Sequence, residues 1–278
     1  RVHAVGAGEA RARPRTPRGL MLAERYDCIL FDLDGVLYRG EEAVPAAPPT
    51  LAELRARSVR LVFLTNNSAR TPEQVADKLR AMGIAADPNE VVTSALATAE
   101  LLARRGGGRV FVIGEDGVRE ALAGAGLEIL EGEPETADLV VVGFDGGATY
   151  AKLKTAGLLV QRGAKLVATN SDGSYPAADG LWPGAGALLS VITTTTGAEP
   201  EVIGKPFAPL FEAGLRRGGG GRPLVVGDRL ETDIEGAARL GWDTMLVLTG
   251  VSGRADVEAT GLRPTVIAED VSALLEDP

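Results

Sequence analysis

Short apolar runs alternate with longer amphipathic stretches along most of the chain. The first apolar run, about residues 27–32, has the length of a buried strand. The stretch TPEQVADKLRAMG is marked as a helix by Thr71 as N-cap, Pro72 in the first turn and Gly83 at the end. Strands that alternate with helices predict an α/β fold with a parallel sheet. The neighbouring elements predicted in the same way are the helix LAELRARS and the strands VRLVFLT and VVTS.

A second set of alternating elements begins near residue 109. The stretches 115–126 and 149–163 have the pattern of helices between strands. GAGALLSVITTTTG (184–197) predicts one more helix. Because threonine is β-branched and a poor helix former, we expect its TTTT segment to be a frayed end. The predicted strands of this second set are RVFVIG, LEIL, DLVVVGF and residues 165–170.

The two ends of the chain differ in character. Residues 1–20 have no apolar period, and we expect them to be a disordered leader before a folded part that opens at Met21. After GKP (204–206) the pattern of helix, strand, helix and strand resumes, and TVIAED with a short helix closes the chain.

Composition narrows the classes of function. A formal net charge of −9 argues against nucleic acid as a partner, because a phosphate backbone is bound by a basic face. No apolar run approaches the length of a membrane helix, so we expect no membrane partner. Cys28 is the only cysteine, which fits a reducing cytosol and predicts a cytoplasmic location. Because His3 in the Arg-rich leader is the only histidine, the chemistry is left to Asp, Thr, Asn and Lys.

Two aspartates stand at the end of the first predicted strand. Asp32 and Asp34 follow CILF, at the edge where open α/β sheets place their ligands. Paired carboxylates repel each other unless they share a cation, and oxygen ligands suit Mg²⁺. The alternative is a solvated turn, since Asp-Gly is common in turns. Asp145 follows another apolar run but stands alone, and we expect it to be a loop residue.

Polar residues also follow the other predicted strands. In TNNS (65–68) the Thr65 hydroxyl, an Asn amide and backbone N–H groups could cradle a phosphate, although an ordinary helix cap is the alternative. Lys205, between a glycine and a proline, is either a rigidly aimed ammonium or a surface lysine. In GDRLETD, Asp228 ends an apolar run. Asp233 stands one turn later, where it either braces a metal's water shell or stabilises a helix start.

These stretches together resemble a known family. DLDGVLYRG, FLTNNS, GKP and VVGDRLETD resemble, in order and spacing, the four motifs of haloacid dehalogenase (HAD) superfamily phosphatases. The nearest resemblance is to the NagD-like branch, also called the p-nitrophenyl phosphatase or phosphoglycolate phosphatase family. It implies a Rossmann-like parallel sheet core with an inserted α/β cap of the C2 type. We therefore expect residues 21–95 and 203–278 to form the core and residues 96–202 the cap.

The resemblance implies a role for each motif residue. Asp32 resembles the nucleophile that forms an aspartyl-phosphate, and Asp34 resembles the general acid and base. Mg²⁺ would be held by Asp32, the Asp34 backbone carbonyl and Asp228, with Asp233 bracing the site. The residues that resemble the phosphate-binding groups are Thr65, Asn66 and Lys205, with Asn67 adjacent.

The stretch ATNSDGSYPAADG (168–180) resembles the substrate-specificity loop of this family. It follows a predicted strand and is rich in turn-forming residues. Tyr175 is its one bulky amphipathic side chain and falls where a specificity residue is expected. The alternative is that Tyr175 only packs at the surface of the cap.

The resemblance implies a Mg²⁺-dependent phosphatase of small phosphate monoesters. Glycerol 3-phosphate, 2-phosphoglycolate, pyridoxal 5′-phosphate and nucleoside monophosphates are the expected substrates, with p-nitrophenyl phosphate as an artificial one. Two alternatives stay open: a phosphomutase on the same fold, and a phosphoacceptor signalling module that keeps phosphate on Asp32. If the protein forms a homodimer, we expect it to do so through the cap.

Overall fold

The structure is a computed structural model that describes residues 21–177 and 179–277. The predicted disordered leader lies outside the described residues. The elements of the first part are β1 Cys28–Phe31, β2 Tyr38–Arg39, β3 Glu42–Ala43, α1 Ala47–Ala56, β4 Leu61–Thr65, α2 Pro72–Ala81 and β5 Val91–Thr93. Next come α3 Ser94–Arg104, β6 Arg109–Ile113, α4 Asp116–Gly124, β7 Glu128–Leu130, β8 Leu139–Val142, α5 Tyr150–Gln161, β9 Lys165–Ala168, β10 Ser174–Ala177, β11 Gly180–Pro183, α6 Ala185–Thr196 and β12 Glu201–Val202. The last part contains α7 Ala208–Arg217, β13 Pro223–Gly227, a π-helical turn Leu230–Ile234, α8 Glu235–Arg239, β14 Asp243–Val247, α9 Arg254–Thr260 and β15 Val266–Ala268.

The first sheet is parallel and has the strand order β15-β14-β13-β1-β4-β5. Its central strands are buried at every position because helices cover both faces. Ile29 and Phe31 of β1 pack into a cluster with residues of α1 and α2. Cys28 and Leu30 face the other side and pack with residues of α3 and α7. The carboxyl ends of β1, β4 and β13 therefore meet at one edge of the sheet.

A second parallel sheet is formed by the chain between β5 and β13. Its strand order is β12-β9-β8-β6-β7. One face packs on α5 and α6 through side chains such as Val140, Ala156 and Ile192. The other face shares an apolar cluster with α3 and with strands of the first sheet. The predicted α/β class with an inserted second α/β unit is confirmed.

Local signals in the sequence account for α2. The Thr71 hydroxyl accepts a hydrogen bond from the Gln74 backbone N–H at 3.3 Å, and the Gln74 side chain accepts one from the Thr71 N–H at 3.0 Å. This reciprocal cap satisfies two backbone donors at the start of the helix. Gly83, which follows the helix, has a φ of 79°, as expected of a glycine that ends a helix.

Other elements differ from the prediction. The expectation that TTTT is frayed was wrong, because α6 runs to Thr196 and Gly197 ends it with a φ of 69°. The hydroxyls of Thr195 and Thr196 donate to backbone carbonyls one turn earlier, at 2.7 and 2.8 Å. The predicted loop 168–180 contains β10 and leads into β11, which pair as an antiparallel hairpin. Helices α3 and α9 and the small hairpin of β2 and β3 were not predicted.

Within the described ranges, no helix combines the length and apolar character needed to cross a membrane.

Candidate active site

The polar residues singled out in the sequence follow three adjacent strands. Asp32 comes directly after β1, Thr65 is the last residue of β4, and Asp228 comes directly after β13. Because these strands are parallel neighbours in the order β13-β1-β4, their carboxyl ends lie side by side. This edge is where ligands bind in open α/β sheets.

Lys205 joins two carboxylates at this edge. Its Nζ donates to Asp32 Oδ1 at 2.5 Å and to Asp233 Oδ1 at 2.6 Å. The lysine side chain is 5% exposed, while the Asp32 and Asp233 side chains are 14% and 1% exposed. Burial opposes the charge of the ammonium, but the carboxylates of Asp233 and Asp32 outweigh it and raise the pKa of Lys205. Lys205 is thus a buried, charged anchor and not a surface lysine.

Asp32 itself is held in a poorly hydrated position. Loss of hydration raises its pKa to about 7, against the attraction of Lys205, and the charges of Asp233 and Asp228 raise it further. A cation placed against this carboxylate would favour its ionised form.

The two carboxylate oxygens of Asp228 differ in their hydrogen bonding. Its Oδ2 accepts a hydrogen bond from the Val251 N–H at 2.8 Å. Its Oδ1 is buried and, among the described residues, has no hydrogen-bond partner. Burial and the charge of Asp233 raise its pKa to about 6. Gly35, with a φ of 84°, lies so close to this carboxylate that a side chain at position 35 would collide with it.

The three buried carboxylates have the spacing of a metal site. Asp32, Asp228 and Asp233 each offer an oxygen, and these oxygens lie within 4.8 Å of one another. A buried carboxylate oxygen without a hydrogen-bond partner, such as Asp228 Oδ1, is expensive unless a cation binds it. The residues therefore fit a hard divalent cation with oxygen ligands. The Asp34 side chain is not part of this set of carboxylates.

Asp34 stands two residues after Asp32 and is more exposed than the buried carboxylates. Its residue surface is exposed, yet the protein atoms around the carboxyl displace water and raise its pKa. The charges of Lys78 and Arg229 oppose this rise. The Lys78 ammonium lies 4.3 Å from the centre of the Tyr38 ring, beside the turn that carries Asp34. A raised pKa makes a carboxyl more suited to act as a proton donor than an ordinary aspartate.

The TNNS segment is a tight turn fixed by its own side chains. The Thr65 hydroxyl accepts from the Asn67 N–H at 3.1 Å, and Asn67 Oδ1 accepts from the Ala69 N–H at 2.9 Å. The Asn66 side chain bonds to the backbone of Lys205: Oδ1 accepts from its N–H at 2.8 Å, and Nδ2 donates to its carbonyl at 3.1 Å. The structure thus brings Asn66 and Lys205 together, although they are far apart in the sequence.

Two residues of the unit that contains the second sheet also contact Asn66, and neither was predicted to be a site residue. Asn170 Nδ2 donates to the Asn66 carbonyl at 2.8 Å, and Asn66 Nδ2 donates to Asp172 Oδ2 at 3.3 Å. Both lie in the segment after β9. A signal was present, because VATN (167–170) repeats the pattern of FLTN (63–66), a Thr-Asn pair at the end of an apolar strand.

Tyr175 stands apart from these contacts. Its ring stacks on Phe144, with 4.3 Å between the ring centres. Phe144 follows β8, and its N–H donates to the Ser68 hydroxyl at 3.1 Å, next to the TNNS turn. Asp145, expected to be a loop residue, lies after β8, is 8% exposed and pairs with Lys152 at 2.5 Å.

A parallel α/β fold with a buried lysine and three carboxylates at the carboxyl edge defines a class of enzymes that act on anionic groups with a divalent cation. The chain matches two family models, "Haloacid dehalogenase-like hydrolase" over residues 29–128 and a HAD-hydrolase-like model over residues 202–274. It is 39% identical over 257 residues to an acid sugar phosphatase of Staphylococcus saprophyticus, a match that covers 91% of this chain and 98% of the relative.

Solved structures of phosphatases are also similar to this chain. Glycerol phosphate phosphatase Rv1692 from Mycobacterium tuberculosis, in complex with calcium, matches with a TM-score of 0.87 and 37% identity over 92% of this chain and 77% of that one. A structure of the same protein in complex with magnesium matches with an equal TM-score. NagD from Escherichia coli K-12 matches with a TM-score of 0.82 and 32% identity over 88% of this chain and 97% of that one. The chain belongs to the haloacid dehalogenase-like hydrolase family and is one of its phosphatases.

Proposed function

We propose that this phosphatase hydrolyses phosphate monoesters of small metabolites through an aspartyl-phosphate on Asp32. The observation that carries the proposal is the buried Lys205, whose ammonium bonds to Asp32 at the edge where Asp228 and Asp233 converge. An acidic protein that binds an anionic phosphoryl group needs concentrated positive charge at its site. Lys205 supplies one such charge, and a bound divalent cation would supply two more.

The proposed chemistry has two steps. An oxygen of Asp32 attacks phosphorus, the bond from phosphorus to the ester oxygen breaks, and Asp34 donates its proton to the leaving oxygen. Asp34 then takes a proton from water as the water oxygen attacks phosphorus, which releases inorganic phosphate and restores the Asp32 carboxylate. The raised pKa of Asp34 supports its role as the proton donor in the first step.

The proposed cofactor is Mg²⁺. Asp32, Asp228 and the backbone carbonyl of Asp34 would hold it, with Asp233 oriented by its bonds to Lys205 and to the Arg229 N–H. When bound, the cation neutralises charge on the phosphoryl oxygens and keeps Asp32 ionised. Asp228 Oδ1, which is buried and has no hydrogen-bond partner in the part of the chain that the structure describes, supports this assignment.

The proposed substrates are small phosphorylated polyols and acids. A relative named acid sugar phosphatase and a structural neighbour named glycerol phosphate phosphatase favour sugar phosphates and glycerol 3-phosphate. We retain 2-phosphoglycolate as a candidate and p-nitrophenyl phosphate as an artificial substrate.

We also propose that residues 96–202 form the cap over a core of residues 21–95 and 203–278, and that any homodimer forms through this cap. The unpaired, buried Cys28 supports the proposed cytoplasmic location.

The test is release of inorganic phosphate from a panel of phosphorylated metabolites, with and without Mg²⁺. We expect turnover of glycerol 3-phosphate or a sugar phosphate that EDTA abolishes and added Mg²⁺ restores. Protein purified in the same way with Asp32→Asn is the control for contaminating phosphatases. Turnover that survives EDTA, or a panel with no substrate at all, would contradict the proposal.

A further inference from the structure

Asn66 is a junction of five hydrogen bonds that link both sheets to the lysine of the active site. Its side chain binds the N–H and the carbonyl of Lys205, at 2.8 and 3.1 Å. Its backbone carbonyl accepts from the Ser94 hydroxyl at 2.7 Å and from Asn170 Nδ2 at 2.8 Å. Its Nδ2 also donates to Asp172 Oδ2 at 3.3 Å. Both amide hydrogens of Asn66 therefore have acceptors within the protein.

The second sheet contributes two of these bonds from one rigid segment. The Asp172 N–H donates to Asn170 Oδ1 at 3.1 Å, which ties the Asn170 side chain to the Asp172 backbone. Asn170 is 4% exposed. The Gly186 N–H at the start of α6 donates to the Asp172 carbonyl at 2.9 Å, which ties the segment to a helix of the second sheet.

The Lys205 backbone is equally confined. The Gly204 N–H donates to the Thr169 carbonyl at 2.8 Å, so the segment after β9 also contacts the residue before the lysine. A Cβ at position 204 would lie 2.6 Å from Asn66 Oδ1, closer than side-chain atoms pack. The backbone around Lys205 is therefore held both by the Asn66 side chain and by the segment after β9.

We propose that Asn170 and Asp172 are positioning residues for the phosphatase reaction. They orient Asn66, and Asn66 holds the Lys205 backbone so that its Nζ lies against Asp32. In this arrangement the Asn66 side chain serves Lys205, because neither of its amide hydrogens is left for a phosphate oxygen. Contacts from the segment after β9 thereby help to align the Lys205 ammonium with Asp32, which follows a strand of the first sheet. The inference rests on the proposed function, since it assigns Lys205 to the phosphate group.

Asp172→Ala is the informative variant because Asp172 is exposed and its loss leaves the core intact. Lys205 is assigned to the phosphate group, which all substrates share. We therefore expect Asp172→Ala to lower kcat/KM about tenfold, and by the same factor for three substrates that differ in their leaving groups. Asp172→Asn keeps an oxygen that can accept from Asn66 and should stay within about twofold of the wild type. Asp77→Ala makes the same change at an exposed residue of α2 that bonds instead to Arg80, and serves as the matched control.

A second measurement does not depend on activity. The Lys205 backbone N–H donates to Asn66, so hydrogen exchange of the peptide containing Lys205 reports whether Asn66 stays in place. We expect faster exchange in Asp172→Ala and unchanged exchange in Asp172→Asn and Asp77→Ala.

The outcomes separate this proposal from the proposed function. Unchanged exchange at Lys205 in Asp172→Ala would overturn the positioning role, whatever the activity. A loss of kcat/KM confined to one substrate would also overturn it, because that pattern means that Asp172 contacts the leaving group. If the wild-type protein released no phosphate from any substrate, the proposed function would fail while the exchange result still stood.

Discussion

At the scale of single residues, the site is a balance of buried charges. One ammonium, that of Lys205, lies between two carboxylates that are almost fully removed from water. Each of the three groups would be unfavourable alone, and the pairing is what makes their burial tolerable. The consequence is that stability and activity depend on the same lysine.

Lys205→Met tests that dependence. The substitution keeps an unbranched side chain that is one atom shorter, but leaves Asp32 and Asp233 facing each other without a cation. Breaking a buried ion pair from one side costs about 3–5 kcal/mol, so we expect a large fall in the free energy of unfolding along with loss of turnover. Urea titration of the metal-free protein measures the first effect. Combining Lys205→Met with Asp233→Asn should restore part of the stability without restoring the activity. An unchanged unfolding midpoint in Lys205→Met would show that stability does not depend on this lysine.

Asp32→Asn tests the covalent mechanism. Asparagine has the size of aspartate but cannot attack phosphorus as an anion. We expect a loss of turnover on the order of a thousandfold or more, the scale of a lost nucleophile, with the fold retained. Phosphate release and circular dichroism measure the two effects. Clear residual turnover in a preparation free of other phosphatases would exclude Asp32 as the nucleophile.

At the scale of elements, the hairpin of β10 and β11 places Tyr175 against the edge of the second sheet. Tyr175 pairs in register with Trp182 and stacks on Phe144, which bonds to the TNNS turn. The contact with Phe144 gives Tyr175 a packing role, and its half-buried position near that turn keeps the specificity role open as a prediction.

Tyr175→Ala separates the two roles. If Tyr175 contacts the leaving group, its removal should weaken binding of the transition state by about 1–3 kcal/mol for a preferred substrate. The ratios of kcat/KM among substrates should then also change. Glycerol 3-phosphate, 2-phosphoglycolate and p-nitrophenyl phosphate are the substrates to compare, with Leu181→Ala on the same hairpin as control. Equal ratios in variant and wild type would leave Tyr175 with packing alone.

The elements also show what the sequence could and could not predict. The ends of β1, β4 and β13 were predictable because an apolar run followed at once by Asp, Thr or Asn is unusual for a buried strand. Helix α2 was predictable from its capping residues. The bonds of Asn66 to Lys205 and Asp172 were not predictable, because they join segments that only the three-dimensional fold brings together. The end of α6 was missed because propensity does not include the bonds that the threonine hydroxyls make within the helix.

At the scale of the whole molecule, a protein of net charge −9 carries its site among acidic groups whose ionisation is opposed by burial. The pKa of Asp32 is raised from 3.8 to about 7, and that of Asp228 from 3.8 to about 6. Between about pH 4 and these raised pKa values, the two carboxyls of the metal-free folded state therefore still hold protons that they have released in the unfolded chain. These two groups contribute stability below about pH 4, and that contribution is lost as the pH rises through 6 and 7.

Mg²⁺ should reverse this loss, and its effect should depend on pH. A cation binds the ionised carboxylates, so at about pH 5 it competes with protons, whereas at about pH 8 the ligands are free to bind it. Cation bound only to the folded state raises stability by about 2.7 kcal/mol at 100 times its Kd. We therefore expect Mg²⁺ to raise the Tm by several degrees at about pH 8 and by much less at about pH 5. Thermal unfolding at both pH values measures this, and Asp228→Asn, which removes one proposed ligand, should lose most of the increment at about pH 8. An equal Tm increment at the two pH values, or a full increment in Asp228→Asn, would show that the cation binds elsewhere.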